Sequence, residues 1–280
     1  MPAITGLGEI ADTFDVAVLD QWGVLHDGSA PYPAAADALR GLADAGKRIL
    51  VLSNSGKRSD LNLDRIAGMG LPVENIEIVM TSGEALWRDV SDGALSPFAR
   101  PFAVVGAAGD AERWADGLTL RFADSIDEAD SLLVMGLPEG TTLDDCEGVL
   151  SQVQERDLTL VCSNPDRASP RARGSAVQPG AVAALYEERG GTVAWYGKPY
   201  RPIFEAVERF AGTVGDRLLM VGDSPEHDIA GGAAAGWQTC LVRGGLHARQ
   251  LRPGTEAQVE RVCQAHASPP PDFHLETLRW

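Results

Sequence analysis

Several apolar runs in the chain stop at a residue able to bind or attack. VAVL is followed by Asp20, RILVL by Ser53 and Asn54, TVAWYG by Lys198, and RLLMVG by Asp223, with Asp228 a few residues on. The set offers carboxylates, one ammonium and a hydroxyl. Those groups suit a divalent cation with oxygen ligands beside an anionic substrate group, which is what phosphoryl transfer requires.

For these residues to act together, the runs must be strands of one sheet. In open parallel sheets ligands bind beyond the carboxyl ends of the strands. Val16 to Asp20 reads as a buried strand, and a helix over 34–46 follows Pro33 and closes at Gly46. Strands are expected at 48–55 and 76–83, with a helix over 59–70 capped by Ser59. The pattern restarts from about Glu84 to Glu188, with strands at 102–106, 131–136 and 158–164, and that stretch is long enough to be a separate α/β unit. Then come TVAWYGKP (192–199), a helix from Pro202 to Ala211, a strand over 217–224, the glycine-rich helical segment 227–236, and a strand over 238–245. Pro269 to Pro271 form a rigid connector before DFHLETL. Alternation of this kind predicts a doubly wound parallel sheet, a Rossmann-like α/β core.

At 280 residues, two domains or one with a large insertion are expected. The excess of 40 Asp and Glu over 24 Lys and Arg, net −16, disfavours nucleic acid and anionic membranes as partners. No apolar run approaches the roughly 18 residues of a membrane span. The first residues lack a basic segment followed by an apolar one, so a cytoplasmic location is expected. Cys146, Cys162, Cys240 and Cys263 are scattered, without zinc-site or disulfide-scaffold spacing, and are expected to be reduced.

In this order and spacing, DQWGVLHDG (20–28), VLSNS (51–55), GKP (197–199) and VGDSPEHD (221–228) resemble the four motifs of the haloacid dehalogenase superfamily of hydrolases. About one hundred residues between the second and third motifs, including SNPDR (163–167), make the chain similar to the class IIA, NagD-like branch. The resemblance implies a core of residues 1–84 and 189–280 with an inserted α/β cap at 85–188. It implies a Mg²⁺-dependent phosphatase acting on a small phosphorylated metabolite. Asp20 would be the nucleophile, forming an aspartyl-phosphate, and Lys198 would hold both nucleophile and phosphate. Ser53 would donate to a phosphoryl oxygen, with Asn54 supporting its loop. Asp20, Asp223 and the Trp22 carbonyl would ligate Mg²⁺, with Asp228 and Gly222 in support. Caps of this branch are sometimes interfaces, so a homodimer is compatible with the reading.

One position departs from the family. Its phosphatases usually carry a second aspartate two residues after the nucleophile, as leaving-group acid and then water base, and here that residue is Trp22. An indole exchanges no protons in that role, and losing a positioned acid or base typically removes about 10²–10⁴ in rate. The expectation is slow turnover or selectivity for aryl, acyl or anhydride leaving groups, with His26 and Asp27 the nearest alternative proton donors. Two other readings stay open: a phosphate-ligand binding protein with little turnover, and a metal-independent dehalogenase, whose family pattern also has an aromatic residue at that position. Arg167, Arg171 and Arg173 crowd one loop of the insert and could grip a phosphate or carboxylate of the substrate. Trp87, Trp114, Trp195, Trp237 and Trp280 read as core or interface anchors. Gly231, Gly232 and Gly236 read as packing residues. His247, His266 and His274 lack metal-ligand spacing, so the sequence assigns them no function.

Overall fold

The computed structural model describes residues 1–94, 96–170 and 175–280. Along the chain, β1 (Val16–Asp20), α1 (Ala35–Asp44), β2 (Arg48–Ser53), α2 (Ser59–Gly68) and β3 (Ile76–Thr81) come first. The middle contains α3 (Ser82–Ser91), β4 (Phe102–Val105), α4 (Asp110–Trp114), β5 (Ser131–Val134), α5 (Leu143–Glu155), β6 (Thr159–Cys162), β7 (Ala168–Pro170), β8 (Ser175–Val177), α6 (Pro179–Glu188) and β9 (Val193–Trp195). It closes with α7 (Arg201–Ala211), β10 (Leu218–Gly222), a π-helical turn at Pro225–Ile229, α8 (Ala230–Ala234), β11 (Gln238–Val242), α9 (Glu256–Ala265) and β12 (Phe273–Leu275).

Two compact units result. One contains Met1–Ser53, Ser59–Met80 and Lys198–Trp280, the other Asn54–Arg58 and Thr81–Gly197. The divisions differ from those expected at 84/85 and 188/189. The reason at the second boundary is strand pairing, because Val193–Trp195 hydrogen-bonds in parallel to β6 and so belongs to the insert's sheet.

In the first unit the six strands lie in the order β12-β11-β10-β1-β2-β3, and β1 is parallel to both β10 and β2. Every residue of β1 and β10 is buried, as expected of strands covered on both faces. Progress through the sheet runs one way from β1 to β3 and the other way from β10 to β12, so the switch point lies between β1 and β10. Asp20 and Asp223 stand at the carboxyl ends of those two strands, where a doubly wound sheet opens a crevice.

Helix α7 buries Ile203, Phe204, Val207 and Ala211 on one side and ends at Gly212, which takes the left-handed conformation (φ +66°). Pro202 occupies its first turn. A Cβ on Gly231 would lie 2.3 Å from the Phe204 ring, so that glycine permits the close approach of α8 to α7. Helix α9 and strand β12 were not foreseen from the sequence. Thr255 caps α9 by accepting from the Gln258 N–H at 3.3 Å, and β12 pairs in parallel with β11.

The second unit has a four-stranded parallel sheet, β4-β5-β6-β9, and its own core of Leu132, Val134, Leu150, Leu160, Val182 and Tyr186. The expected loop after SNPDR contains a short antiparallel hairpin of β7 and β8. Helix α5 starts with a reciprocal cap, Thr142 and Asp145 each bonding the other's backbone N–H. The four cysteines are buried free thiols. Among the described residues, no helix is long and apolar enough to cross a membrane.

Candidate active site

The β1 and β10 ends bring Asp20, Asp223 and Asp228 together, with carboxylate oxygens within 4.8 Å of one another. Lys198 enters the same cluster. Its ammonium donates to Asp20 Oδ1 at 2.5 Å, Asp228 Oδ1 at 2.6 Å and the Leu52 carbonyl at 3.3 Å. All four side chains are buried.

Each group is placed by local backbone. The Asp223 carboxylate accepts the Leu246 N–H on Oδ2 at 2.6 Å. Two glycines make room for it: a Cβ on Gly23 (φ +90°) would lie 1.9 Å from that oxygen, and one on Gly245 2.0 Å from it. Asp228 lies on the π-helical turn, where its Oδ2 accepts the Ser224 N–H at 3.0 Å. Gly222 is required beneath it, since a Cβ there would meet Asp228 Cγ at 2.1 Å. The sequence motif flagged the carboxylates and Gly222. It gave no sign of Gly23, Gly245, the Leu246 N–H or the Leu52 carbonyl, which act through backbone position.

The electrostatics follow from three carboxylates sharing one ammonium in a buried place. Burial pushes Asp20 well above the ordinary aspartate range, with Asp228 and Asp223 adding to the effect and Lys198 opposing it. Asp223 is pushed up to about 6 by burial and by Asp228. Burial alone would pull Lys198 down, but Asp20 and Asp228 outweigh it and hold the ammonium above its usual range. We therefore take Lys198 as charged and the excess as negative. A hard divalent cation would relieve that excess, and a donor set of carboxylate oxygens is the kind that holds one. The Trp22 carbonyl accepts no hydrogen bond from the described residues of its turn, whose bonds fall instead on the Gln21 and His26 carbonyls.

His26 and Asp27, the candidate proton donors nearest by sequence, are both engaged in ordering the turn. His26 is buried, accepts the Gly28 N–H on Nδ1 at 3.0 Å and lies 3.2 Å from the Gln21 amide. Burial, with Arg65, lowers it to about 4, so it is neutral near pH 7 and orders the turn. Asp27 accepts the Ala30 and Ser29 N–H groups, which hold it ionised below its usual range. The Trp22 indole is 43 % exposed, and a Cβ on Gly28 would lie 2.6 Å from its Nε1.

Ser53 ends β2 and is half-buried. Asn54 belongs to the second unit, where its Nδ2 donates to Asp166 Oδ1 at 2.8 Å and Asp166 in turn donates its N–H to Asn164 Oδ1. Arg167 is exposed at the foot of the β7–β8 hairpin, its carbonyl accepting the Gln178 N–H. Arg171 and Arg173 lie outside the described residues.

A parallel sheet with buried carboxylates and a buried ammonium at its switch point defines a Rossmann-like α/β enzyme. The sequence profile of a family described as haloacid dehalogenase-like hydrolase matches residues 17–116, and that of a related HAD-hydrolase-like family matches residues 195–275. The chain belongs to the haloacid dehalogenase-like hydrolases, in their NagD-like class IIA phosphatase branch. It is similar to chronophin of Rattus norvegicus, 28 % identical over 91 % of this chain and 83 % of that one. It is also similar to glycerol-3-phosphate phosphatase of Gallus gallus, 27 % identical over 94 % and 89 %. Among solved structures, a haloacid dehalogenase-like hydrolase from Brucella suis 1330 superimposes with a TM-score of 0.79 at 27 % identity, covering 99 % of this chain and 100 % of that one.

Proposed function

We propose that this hydrolase moves the phosphoryl group of a small phosphorylated metabolite first to Asp20 and then to water, with Mg²⁺ as its resident cation. The observation carrying the reading is the buried Lys198 ammonium shared by Asp20 and Asp228 beside Asp223. With Oδ1 on Lys198, Asp20 attacks phosphorus through Oδ2. A new P–O bond forms, the ester P–O bond breaks, and the leaving oxygen departs with its electron pair. Water then attacks the phosphorus of the aspartyl-phosphate, Asp20 leaves as a carboxylate, and the water's protons go to inorganic phosphate and solvent.

A carboxylate and a phosphate repel each other, and the chain's answer is Lys198, whose fixed positive charge lets the two anions meet. Ser53 is assigned the hydrogen bond to a phosphoryl oxygen, and Asn54 the support of its loop. Asp20, Asp223 and the Trp22 carbonyl would hold the cation, which when bound supplies Lewis-acid neutralisation of the phosphoryl oxygens. Asp228 keeps Lys198 aimed at Asp20. The insert, residues 85–188 by sequence, is assigned the cap's role in substrate choice, with Arg167 its described candidate.

Trp22 makes the leaving group decisive. With no acid at that position, and with His26 and Asp27 unsuited, an alkoxide would have to depart unprotonated. Aryl, acyl and anhydride phosphates escape this demand. The same observation favours a second reading, a protein that binds phosphorylated ligands and turns them over poorly. A metal-independent dehalogenase is disfavoured by three buried carboxylates sharing a single ammonium, a donor set that suits a divalent cation, and by relatives such as the glycerol-3-phosphate phosphatase.

The test is turnover of an aryl and an alkyl phosphate, with Mg²⁺ and with EDTA, for wild type, Asp20→Asn and Trp22→Asp. Wild type should cleave only the aryl ester and only with Mg²⁺. Asp20→Asn should be inactive, and Trp22→Asp should gain the alkyl ester by about 10²–10⁴. A wild type inert on both esters and not rescued by Trp22→Asp would favour the binding protein. A Brønsted plot with no dependence on leaving-group pKa would sink the role given to Trp22.

A further inference from the structure

A second group of ligand-type side chains lies in the first unit and draws on the same π-helical turn that carries Asp228. Glu226 of that turn, His247 after β11 and His266 at the end of α9 direct one carboxylate oxygen and two imidazole nitrogens to a common point. Glu226 Oε2 lies 3.4 Å from His247 Nε2 and 3.3 Å from His266 Nδ1. We propose that Glu226, His247 and His266 form a binding site for a divalent first-row transition metal, Zn²⁺ foremost, that fastens the strap after β11 and the end of α9 to the turn carrying Asp228.

The first argument is an unmet need. Glu226 Oε2 and His247 Nε2 are both buried and, apart from the long approaches within the cluster itself, have no hydrogen-bond partner; His247 is only 8 % exposed. Buried polar atoms in this state are uncommon and often mark a missing ion. The second argument is spacing. Zinc bonds of about 2.0–2.1 Å arranged tetrahedrally put neighbouring ligand atoms about 3.3–3.4 Å apart, which matches both Glu226 separations. The two imidazole nitrogens, within 4.8 Å of each other, would close slightly.

The third argument is the outer partner of His266. Its Nε2 faces Gln250 Oε1 at 3.5 Å, and the Gln250 carbonyl accepts from the Gln258 side chain. With Nε2–H directed to that amide oxygen, the Nδ1 lone pair points toward Glu226, the outer-shell arrangement usual for a metal-binding histidine. Two imidazoles and one carboxylate form the three-ligand set of many zinc sites, whereas Mg²⁺ and Ca²⁺ prefer oxygen alone. The apolar cluster of Ile229, Leu241, Leu251, Val259, Val262 and Cys263 packs in the same region and would give the site a rigid floor.

Binding is read without turnover, so this proposal and the phosphatase reading can fail separately. The metal-stripped full chain is titrated with Co²⁺ in excess Mg²⁺, following the ligand-field absorption, and Zn²⁺ is then added to displace it. One equivalent of Co²⁺ should bind to wild type and to Asp223→Asn, with Zn²⁺ abolishing the band. His266→Ala and Glu226→Gln should each bind at least about 10-fold more weakly. Zn²⁺ should raise the melting temperature of wild type and leave that of Glu226→Gln unchanged. Glu226→Gln preserves volume and decides the matter if His266→Ala does not fold. Absence of Co²⁺ binding in wild type, wild-type affinity in both variants, or loss of the band in Asp223→Asn would each overturn the site.

Discussion

Two clusters each take one carboxylate from the same turn of this protein, Asp228 and Glu226, and their donor chemistry differs. Asp20, Asp223 and Asp228 surround an ammonium with oxygen, while Glu226, His247 and His266 present two imidazoles and one carboxylate. The first carries excess negative charge and an internal cation that stays in place, which is why we propose that it receives an anion together with a hard metal. In the second, the buried Glu226 Oε2 and His247 Nε2 face each other at 3.4 Å. One turn can thus separate a place for chemistry from a place for fastening, because hard and borderline cations sort by ligand type.

The sharpest way to separate the clusters is to remove the proposed nucleophile. Asp20→Asn should lower aryl phosphate turnover by about 10⁴ or more and leave Co²⁺ binding unchanged. Its melting temperature should hold, because the substitution removes one of the carboxylates whose charge is costly there. A parallel loss of Co²⁺ binding would show that the two clusters are one.

Lys198→Met attacks the first cluster from its other side. Three buried carboxylates would then face one another, and breaking a buried pair in this way typically costs about 3–5 kcal/mol. Urea unfolding should show that loss as a lower midpoint with an unchanged slope. An unchanged midpoint would mean that the ammonium's charge is not needed to hold the cluster together.

The contrast extends to what the sequence could reveal. Asp20 and Asp223 stand out in the sequence because each ends an apolar run and ligands gather at strand ends, whereas Lys198 stands out through the resemblance of its GKP segment to a family motif. The two-unit organisation was legible from the restart of the αβ rhythm near residue 84. His247 and His266 were not legible, since they meet only through α9 and the strap after β11. Metal-ligand spacing rules describe ligands on one local element, and these come from three. Asn54 is expected to support the loop of Ser53, and no motif indicates that its Nδ2 donates to Asp166. Side-chain hydrogen bonds between distant segments leave no periodic trace in a sequence.

The clusters should also respond differently to acid. Asp223, pushed up to about 6 by burial and by Asp228, takes a proton below that pH and so competes with a divalent cation. The Mg²⁺ concentration giving half-maximal aryl phosphate turnover should rise as the pH falls through about 6, by up to about tenfold per pH unit. The sign for stability runs the same way. A carboxylate raised in the folded state binds its proton before the unfolded chain does, so in the metal-free protein its penalty is present above about pH 6 and fades toward pH 4. Stabilisation by Mg²⁺, read as a shift in melting temperature, should therefore be larger at pH 7.5 than at pH 5. A shift independent of pH would place the cation away from Asp223.

The mildest test acts on the strap shared by both clusters. Gly245 packs on Asp223 Oδ2, the next residue's N–H holds that oxygen, and the residue after that is His247. In Gly245→Ala the new Cβ would fall 2.0 Å from the oxygen, so the strap or the carboxylate must move. Loss of one hydrogen bond to a charged group is worth about 1.5 kcal/mol or more, so Mg²⁺ dependence should weaken about tenfold. If the strap ties the clusters together, Co²⁺ binding should weaken as well, by less, because His247 lies two residues from the clash. Weakened Mg²⁺ use with wild-type Co²⁺ affinity would show that the clusters share a turn without sharing energy.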